Sequence, residues 1–156
     1  MNSPRVGILV IAHNKIGQQL VETATDMLDR ACPQLRSLEV RQDDDPVHLL
    51  TRARRLLGEI QQGTGVLVLT DMYGSTPSNI AHRLHLSEGS IKHAANQAET
   101  PATDSGSGIR VIAGINLPML VRTLNYAHLP LDELAVKALS GGHDGILDAS
   151  ELEEKA

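Results

Sequence analysis

The chain has no phenylalanine and no tryptophan, and its only tyrosines are Tyr73 and Tyr126. An interior built without aromatic rings has to be aliphatic, which suits a sheet covered by helices. The same shortage excludes modules that read nucleic acid by stacking bases on aromatic side chains. The formal charge is −5 and no long basic run is present, which excludes recognition of a phosphate backbone. A single cysteine, Cys32, excludes an intrachain disulfide and fits a reducing compartment. Nothing near Cys32 resembles a catalytic thiol. No apolar run approaches the roughly 20 residues that cross a bilayer. The first residues show neither a basic n-region nor a cleavage site. A soluble, cytoplasmic protein without membrane insertion is expected.

What the chain does have is a pair of apolar runs, each ending in one ionisable residue. Val6 to Ala12 leads into His13, and Gly65 to Thr70 leads into Asp71. Continuous runs rich in Val, Ile and Leu read as strands buried on both faces of a parallel sheet. At 156 residues the chain is long enough for one domain with a real core.

Punctuation sets the remaining elements. Ile16, Leu20, Ala24, Met27 and Leu28 recur at helical spacing, predicting a helix over 16–30 that closes before Pro33. Leu35 to Arg41 reads as a shorter, less apolar strand nearer an edge. Asp43-Asp44-Asp45-Pro46 reads as a helix start, with an Asp cap and Pro at the first position. Capping and dipole complementation account for this acidic triplet without a metal. The helix runs through Ile60 and stops near Gly63. Gly74 frees the next loop to turn, and Thr76-Pro77 repeats the cap-then-proline signature for a helix through Leu84. Residues 87–108, rich in Ser, Gly, Ala, Thr and Asn, read as a mobile surface insertion. Ile109 to Ala113 is a fourth strand. Asn116-Leu117-Pro118 passes into a further helix, and Leu131 to Leu139 forms the last one, ended by Gly141-Gly142. Ile146 and Leu147 are placed to supply a short final strand, antiparallel to the rest. Residues 1–148 are one domain, and 149–156 are expected to fray.

Alternating strands and helices with short crossovers specify an α/β doubly wound sheet with helices on both faces. The common order for so small a sheet, 2-1-3-4, puts the switch point between the first and third strands. His13 and Asp71 are then neighbours on the carboxyl rim, where such sheets bind ligands. A carboxylate on one ring nitrogen fixes the imidazole tautomer and leaves the other nitrogen free as a nucleophile. Backbone N–H groups at the helix start near Pro77 can receive an anion.

Three stretches in order carry a resemblance: Ile8 to His13, Val66 to Asn79, and Val111 to Leu120. Together they resemble the mannose-type enzyme IIA domains of the bacterial sugar phosphotransferase system. The resemblance covers about Val6 to Ile146 apart from the insertion. It implies that His13 accepts a phosphoryl group from the phosphocarrier protein HPr and passes it to a histidine on an enzyme IIB. It implies that Asp71 orients the imidazole and that Thr76, with Ser75, meets the phosphoryl oxygens. Tyr73, where the family commonly has tryptophan, and Asn116 are expected on the partner-facing rim. A homodimer that exchanges a C-terminal strand near Ile146 is implied too. No cofactor or metal is needed, because the donor is already a phosphohistidine. No enzyme IIB segment follows, so a free-standing IIA is expected.

Two other classes were weighed. A nucleotide or flavin module on the same fold needs a glycine-rich loop after the first strand, and Ala12 to Gly17 holds one glycine. A hydrolase using Ser75 or Ser78 lacks the Gly-x-Ser-x-Gly elbow. His82 and His85 lie three apart on one helix, but no further ligand cluster accompanies them. His48, His93, His128 and His143 have no discernible partner.

Overall fold

The computed structural model describes residues 3–95 and 108–152. Nine main elements alternate in chain order. They are β1 (Gly7–His13), α1 (Ile16–Leu28), β2 (Leu35–Val40), α2 (Pro46–Ile60), β3 (Val66–Thr70), α3 (Thr76–Ala95), β4 (Ile109–Ala113), α4 (Leu117–Asn125) and α5 (Leu131–Asp144). The sheet has the order β2-β1-β3-β4 and every pair is parallel. This is the expected order, with the less apolar β2 at one edge. Its cause is hydrophobic pattern. β1 and β3 are almost wholly apolar, His13 at the end of β1 and Thr70 at the end of β3 being the exceptions, and are buried on both sides; only central strands can satisfy that.

Alternation along β1 divides the core into two layers. Ile8, Val10 and Ala12 face α1, α4 and α5, where they meet Ala24, Leu120, Leu124, Leu134 and Ala138. Leu9 and Ile11 face α2 and α3, where they meet Leu49, Ala53, Ile80 and Leu84. No aromatic residue is part of either layer. Each fully buried Leu or Ile contributes about 1.5–3 kcal/mol by leaving water, so the aliphatic layers suffice. Both open edges of the sheet carry arginines paired across to helices: Arg36 to Glu59 at 3.2 Å and Arg110 to Asp132 at 3.0 Å. Charges of this kind discourage edge-to-edge pairing. Among the described residues, no helix is long and apolar enough to cross a membrane.

Several boundaries differ from the sequence reading. α1 stops at Leu28, and Asp29 takes a left-handed conformation with φ 47°. α3 continues to Ala95, so the expected loop is helical as far as residue 95. That stretch has few large apolar residues, but it contains Glu, Lys, Ile and Ala and no proline. Propagating an existing helix through such residues costs little. The rest of the expected mobile insertion, 96–107, lies outside the described residues.

The C-terminal expectation needs a larger correction. Gly141 and Gly142 do not end α5; they are buried inside it. A Cβ on Gly141 would lie 2.9 Å from Cβ of Arg122, and one on Gly142 would lie 2.7 Å from Cε of Met119. The missing side chains let α5 approach α4 closely, and that packing overrides the poor helix propensity of glycine. Among the described residues there is no fifth strand. Ile146 and Leu147 are exposed, and an exposed 3-10 turn follows at Ala149–Glu151. Residues 153–156 of the expected tail lie outside the described residues.

Two glycine-to-alanine changes separate propensity from packing. Gly58 of α2 is exposed and has open space where a Cβ would stand. Gly58→Ala is expected to stabilise the fold by about 0.5–1 kcal/mol. Gly141→Ala gains the same propensity but must displace Arg122, and is expected to destabilise by about 1–3 kcal/mol. Urea unfolding of both variants measures the two signs.

Candidate functional site

β1 and β3 deliver their terminal residues to the same crevice. Ile11 of β1 pairs with Thr70 of β3, so Asp71, the next residue, stands beside the end of β1. Asp71 Oδ2 accepts two hydrogen bonds from His13: one from the ring Nδ1 at 2.8 Å and one from the backbone N–H at 3.0 Å. Its other oxygen accepts from the Met72 N–H at 3.0 Å. The pair expected from the two apolar runs is therefore in direct contact.

The environment is asymmetric. The Asp71 side chain is 14% exposed and the His13 ring is 37% exposed. Burial opposes ionisation of Asp71. The hydrogen bonds from the His13 ring and backbone, with the charge interaction of His13, outweigh it and hold the carboxyl below its usual range. An ionised carboxylate has only lone pairs to offer, so Nδ1 is the donor and keeps its hydrogen. Nε2 of the neutral ring then bears an unshared pair.

The residue after the histidine fixes this arrangement. Asn14 has φ 48°, in the left-handed region, and its N–H donates to the Val40 carbonyl of β2 at 2.9 Å. The turn directs the chain away from the sheet while the end of β1 stays paired to β2. Asn is among the few residues that enter this region readily. Sequence reasoning did not single out Asn14. The available signal was an Asn immediately after a buried strand.

Four helices begin on this rim, as they must when each follows a parallel strand. Two are capped by side chains. Asp45 accepts from Val47 N–H at 2.7 Å at the start of α2, as the sequence predicts. Asn116 accepts from Met119 N–H at 2.9 Å at the start of α4. The two helices nearest the His13–Asp71 pair differ. Lys15 provides no side-chain cap for α1. At α3 the Asn79 N–H bonds to the Ser75 carbonyl, so Ser75, not Thr76, occupies the capping position. The Ser75 hydroxyl donates back to the Met72 carbonyl at 2.6 Å.

Not every expected residue converges. Thr76 is exposed at the first position of α3 and Ser75 is half-buried; no hydrogen bond joins either to His13 or Asp71. Tyr73 is 86% exposed on the loop after β3, with Met72 beside it and Ile16 exposed at the start of α1. Gly74, with φ 79°, makes the turn that presents them. Asn116 is at the rim, but its amide is occupied internally: besides capping α4, it donates to the Gly142 carbonyl at 3.0 Å. It clamps α4 to α5. His82 and His85 stack with ring centroids 6.3 Å apart, and His85 Nδ1 donates to the Ile109 carbonyl at 2.8 Å. Among the described residues there is no group of three or more His, Cys, Asp or Glu placed to hold a metal.

Comparison with known proteins bears on the family and the fold. The profile of a family described as the PTS system fructose IIA component, of the mannose enzyme IIA type, matches residues 7–139. The mannose-specific EIIAB component of the phosphotransferase system from Escherichia coli K12 is 26% identical over 155 residues. That match covers 97% of this chain and 42% of the relative, so the chain spans less than half of that protein. The phosphotransferase system component EIIA from Streptococcus agalactiae superposes with a TM-score of 0.74 at 21% identity, covering 94% of this chain and 99% of the other. The mannose/sorbose specific IIA subunit from Enterococcus faecalis superposes at 0.72 and 19% identity, covering 97% and 99%. These superpositions bear on the fold. The family match does not favour a nucleotide or flavin module. With 7–139 matched by the family profile, a 2-1-3-4 parallel sheet and the His13–Asp71 pair at its switch point, the chain belongs to the mannose-type enzyme IIA family of the sugar phosphotransferase system.

Proposed function

We propose that His13 accepts a phosphoryl group on Nε2 from phosphorylated HPr and passes it to an enzyme IIB-type acceptor. The observation that carries this reading is the 2.8 Å bond between His13 Nδ1 and Asp71 Oδ2. The Nε2 lone pair attacks phosphorus and the N–P bond of the donor breaks. The bonding pair stays with the donor imidazole. Positive charge develops on His13, and the ionised Asp71 beside Nδ1–H stabilises it. Phosphoryl transfer of this kind asks the protein for position and electrostatics more than covalent help. The N-terminal N–H groups of α1 and α3 supply partial positive charge for the equatorial oxygens, with Ser75 and Thr76 beside them. Neither a metal nor a cofactor takes part in this scheme.

Tyr73, Met72 and Ile16 are exposed apolar residues on the segments that follow Asp71 and His13, which suits the docking of protein donors and acceptors rather than a free sugar. The location is cytoplasmic, where both partners act. The chain works as a homodimer in this reading, and the exposed Ile146, Leu147 and Leu152 are a surface that such a dimer would cover. Uptake and regulation are both served by the same transfer.

Incubation with phosphoenolpyruvate, enzyme I and HPr is expected to add one acid-labile phosphoryl group. His13→Ala is expected to take none, and Asp71→Asn to fold but transfer about 100-fold more slowly. Labelling of His13→Ala to the wild-type extent would overturn the assignment.

The left-handed turn gives a second test. Asn14→Gly is expected to keep near-normal transfer, since glycine enters that region freely. Asn14→Val, a β-branched residue at positive φ, is expected to lose about 1–2 kcal/mol of stability and to slow transfer. Melting curves with single-turnover labelling compare the two. Equal rates would show that the turn does not position His13.

A further inference from the structure

The opposite pole of the sheet holds a second polar feature, far from His13. A cavity of about 270 Å³ opens between the segment before β1, the α1–β2 loop and the α2–β3 loop. Arg5, Arg30, Gln34 and Gln62 line it, and among the described residues no carboxylate does. Four arginines elsewhere in the described residues pair with Asp or Glu. Among the described residues Arg5 and Arg30, like the α2 and α3 arginines Arg52, Arg54, Arg55 and Arg83, have no such pair.

The donors are partly held in place. Arg30 Nη2 bonds to the Leu124 carbonyl at 3.0 Å and to Asn125 Oδ1 at 3.2 Å. These contacts neutralise the carbonyl end of α4 and leave the Nε–H and Nη1 donors of the fork. Gln62 Oε1 accepts the Arg5 backbone N–H at 3.2 Å, which leaves the Gln62 amide hydrogens. The most telling residue is Gln34. It is 3% exposed, and its carbonyl is fixed by the N–H of Ile8 at 2.9 Å. Its side-chain amide makes no hydrogen bond to any described residue. The side chain is otherwise enclosed, so the cavity is where its amide finds a partner.

Water solvates the guanidinium groups of the half-buried Arg5 and the exposed Arg30 but does not offset their positive charge. An anion does, and it satisfies the Gln34 amide at the same time. The volume lies just below the range of drug-sized ligand pockets, which suits a small acid rather than a nucleotide. We propose that this cavity binds a small oxyanion, a carboxylate or a phosphate monoester, between Arg5, Arg30 and the Gln34 amide. The site is separate from the His13 rim, and the proposal does not rest on the phosphoryl-transfer reading.

The test is titration of the 15N-labelled full chain with inorganic phosphate and, separately, with malonate, at constant ionic strength in potassium chloride. At least one of them is expected to give saturable shifts of the Gln34 side-chain amide and the Arg5 Nε–H at millimolar concentration. Saturation by phosphate alone assigns a phosphate ligand, and by malonate alone a carboxylate. Arg5→Ala is expected to weaken binding by about tenfold or more, with the urea midpoint showing that the variant is folded. Asp71→Asn is expected to leave these shifts unchanged. Because Arg30 also anchors α4, Arg5→Ala is the deciding variant. Shifts that never saturate with either anion, or saturable binding that Arg5→Ala leaves intact, would overturn the site.

Discussion

One carboxylate oxygen receives both the backbone and the ring of the same histidine, and the rest of the rim follows from that. Asp71 Oδ2 can reach His13 twice only because β1 and β3 are adjacent and in register. Adjacency in turn requires a crossover that sends β2 to one side of β1 and β3 to the other. The all-aliphatic strands permit this, since both central strands are apolar on both faces. A carboxylate tied to a strand end by three N–H donors has little freedom. It orients the imidazole without relying on a mobile loop.

The sheet order and the central pair were legible because they depend on simple features. Runs such as Val6 to Ala12 admit few alternatives, and parallel topology follows from alternation with helices. Asp45 was legible as a cap because Pro46 follows it. What escaped were effects decided by close packing. Gly141 and Gly142 look like a helix end, yet they are where α5 presses on Arg122 and Met119. Asn116 looks like a rim residue, yet its amide is used by Met119 and Gly142. Residues 87–95 look like a loop because they are poor in large apolar side chains, but helix propagation needs propensity rather than burial. Asn14 escaped because a single left-handed residue leaves no periodic trace.

The two poles of the molecule use opposite strategies toward negative charge. At the carboxyl rim, helix N-termini supply partial charges around a nucleophilic ring. At the amino pole, where helix carbonyl ends would repel an anion, Arg30 offsets the end of α4 and Arg5 stands nearby. Arg30 illustrates the point, since one of its nitrogens already neutralises the end of α4. The two tyrosines are divided between the poles, Tyr73 on the carboxyl rim and Tyr126 past the end of α4.

The central claim is that Asp71 occupies Nδ1 of His13 and leaves Nε2 as the nucleophile. The most direct measurement is two-dimensional 1H–15N NMR of the His13 ring before and after phosphorylation of the full chain. The expected result is an Nδ1–H tautomer in the free protein and phosphorus coupled to Nε2 in the phosphorylated one. Phosphorus on Nδ1, or a free ring with its hydrogen on Nε2, would contradict it.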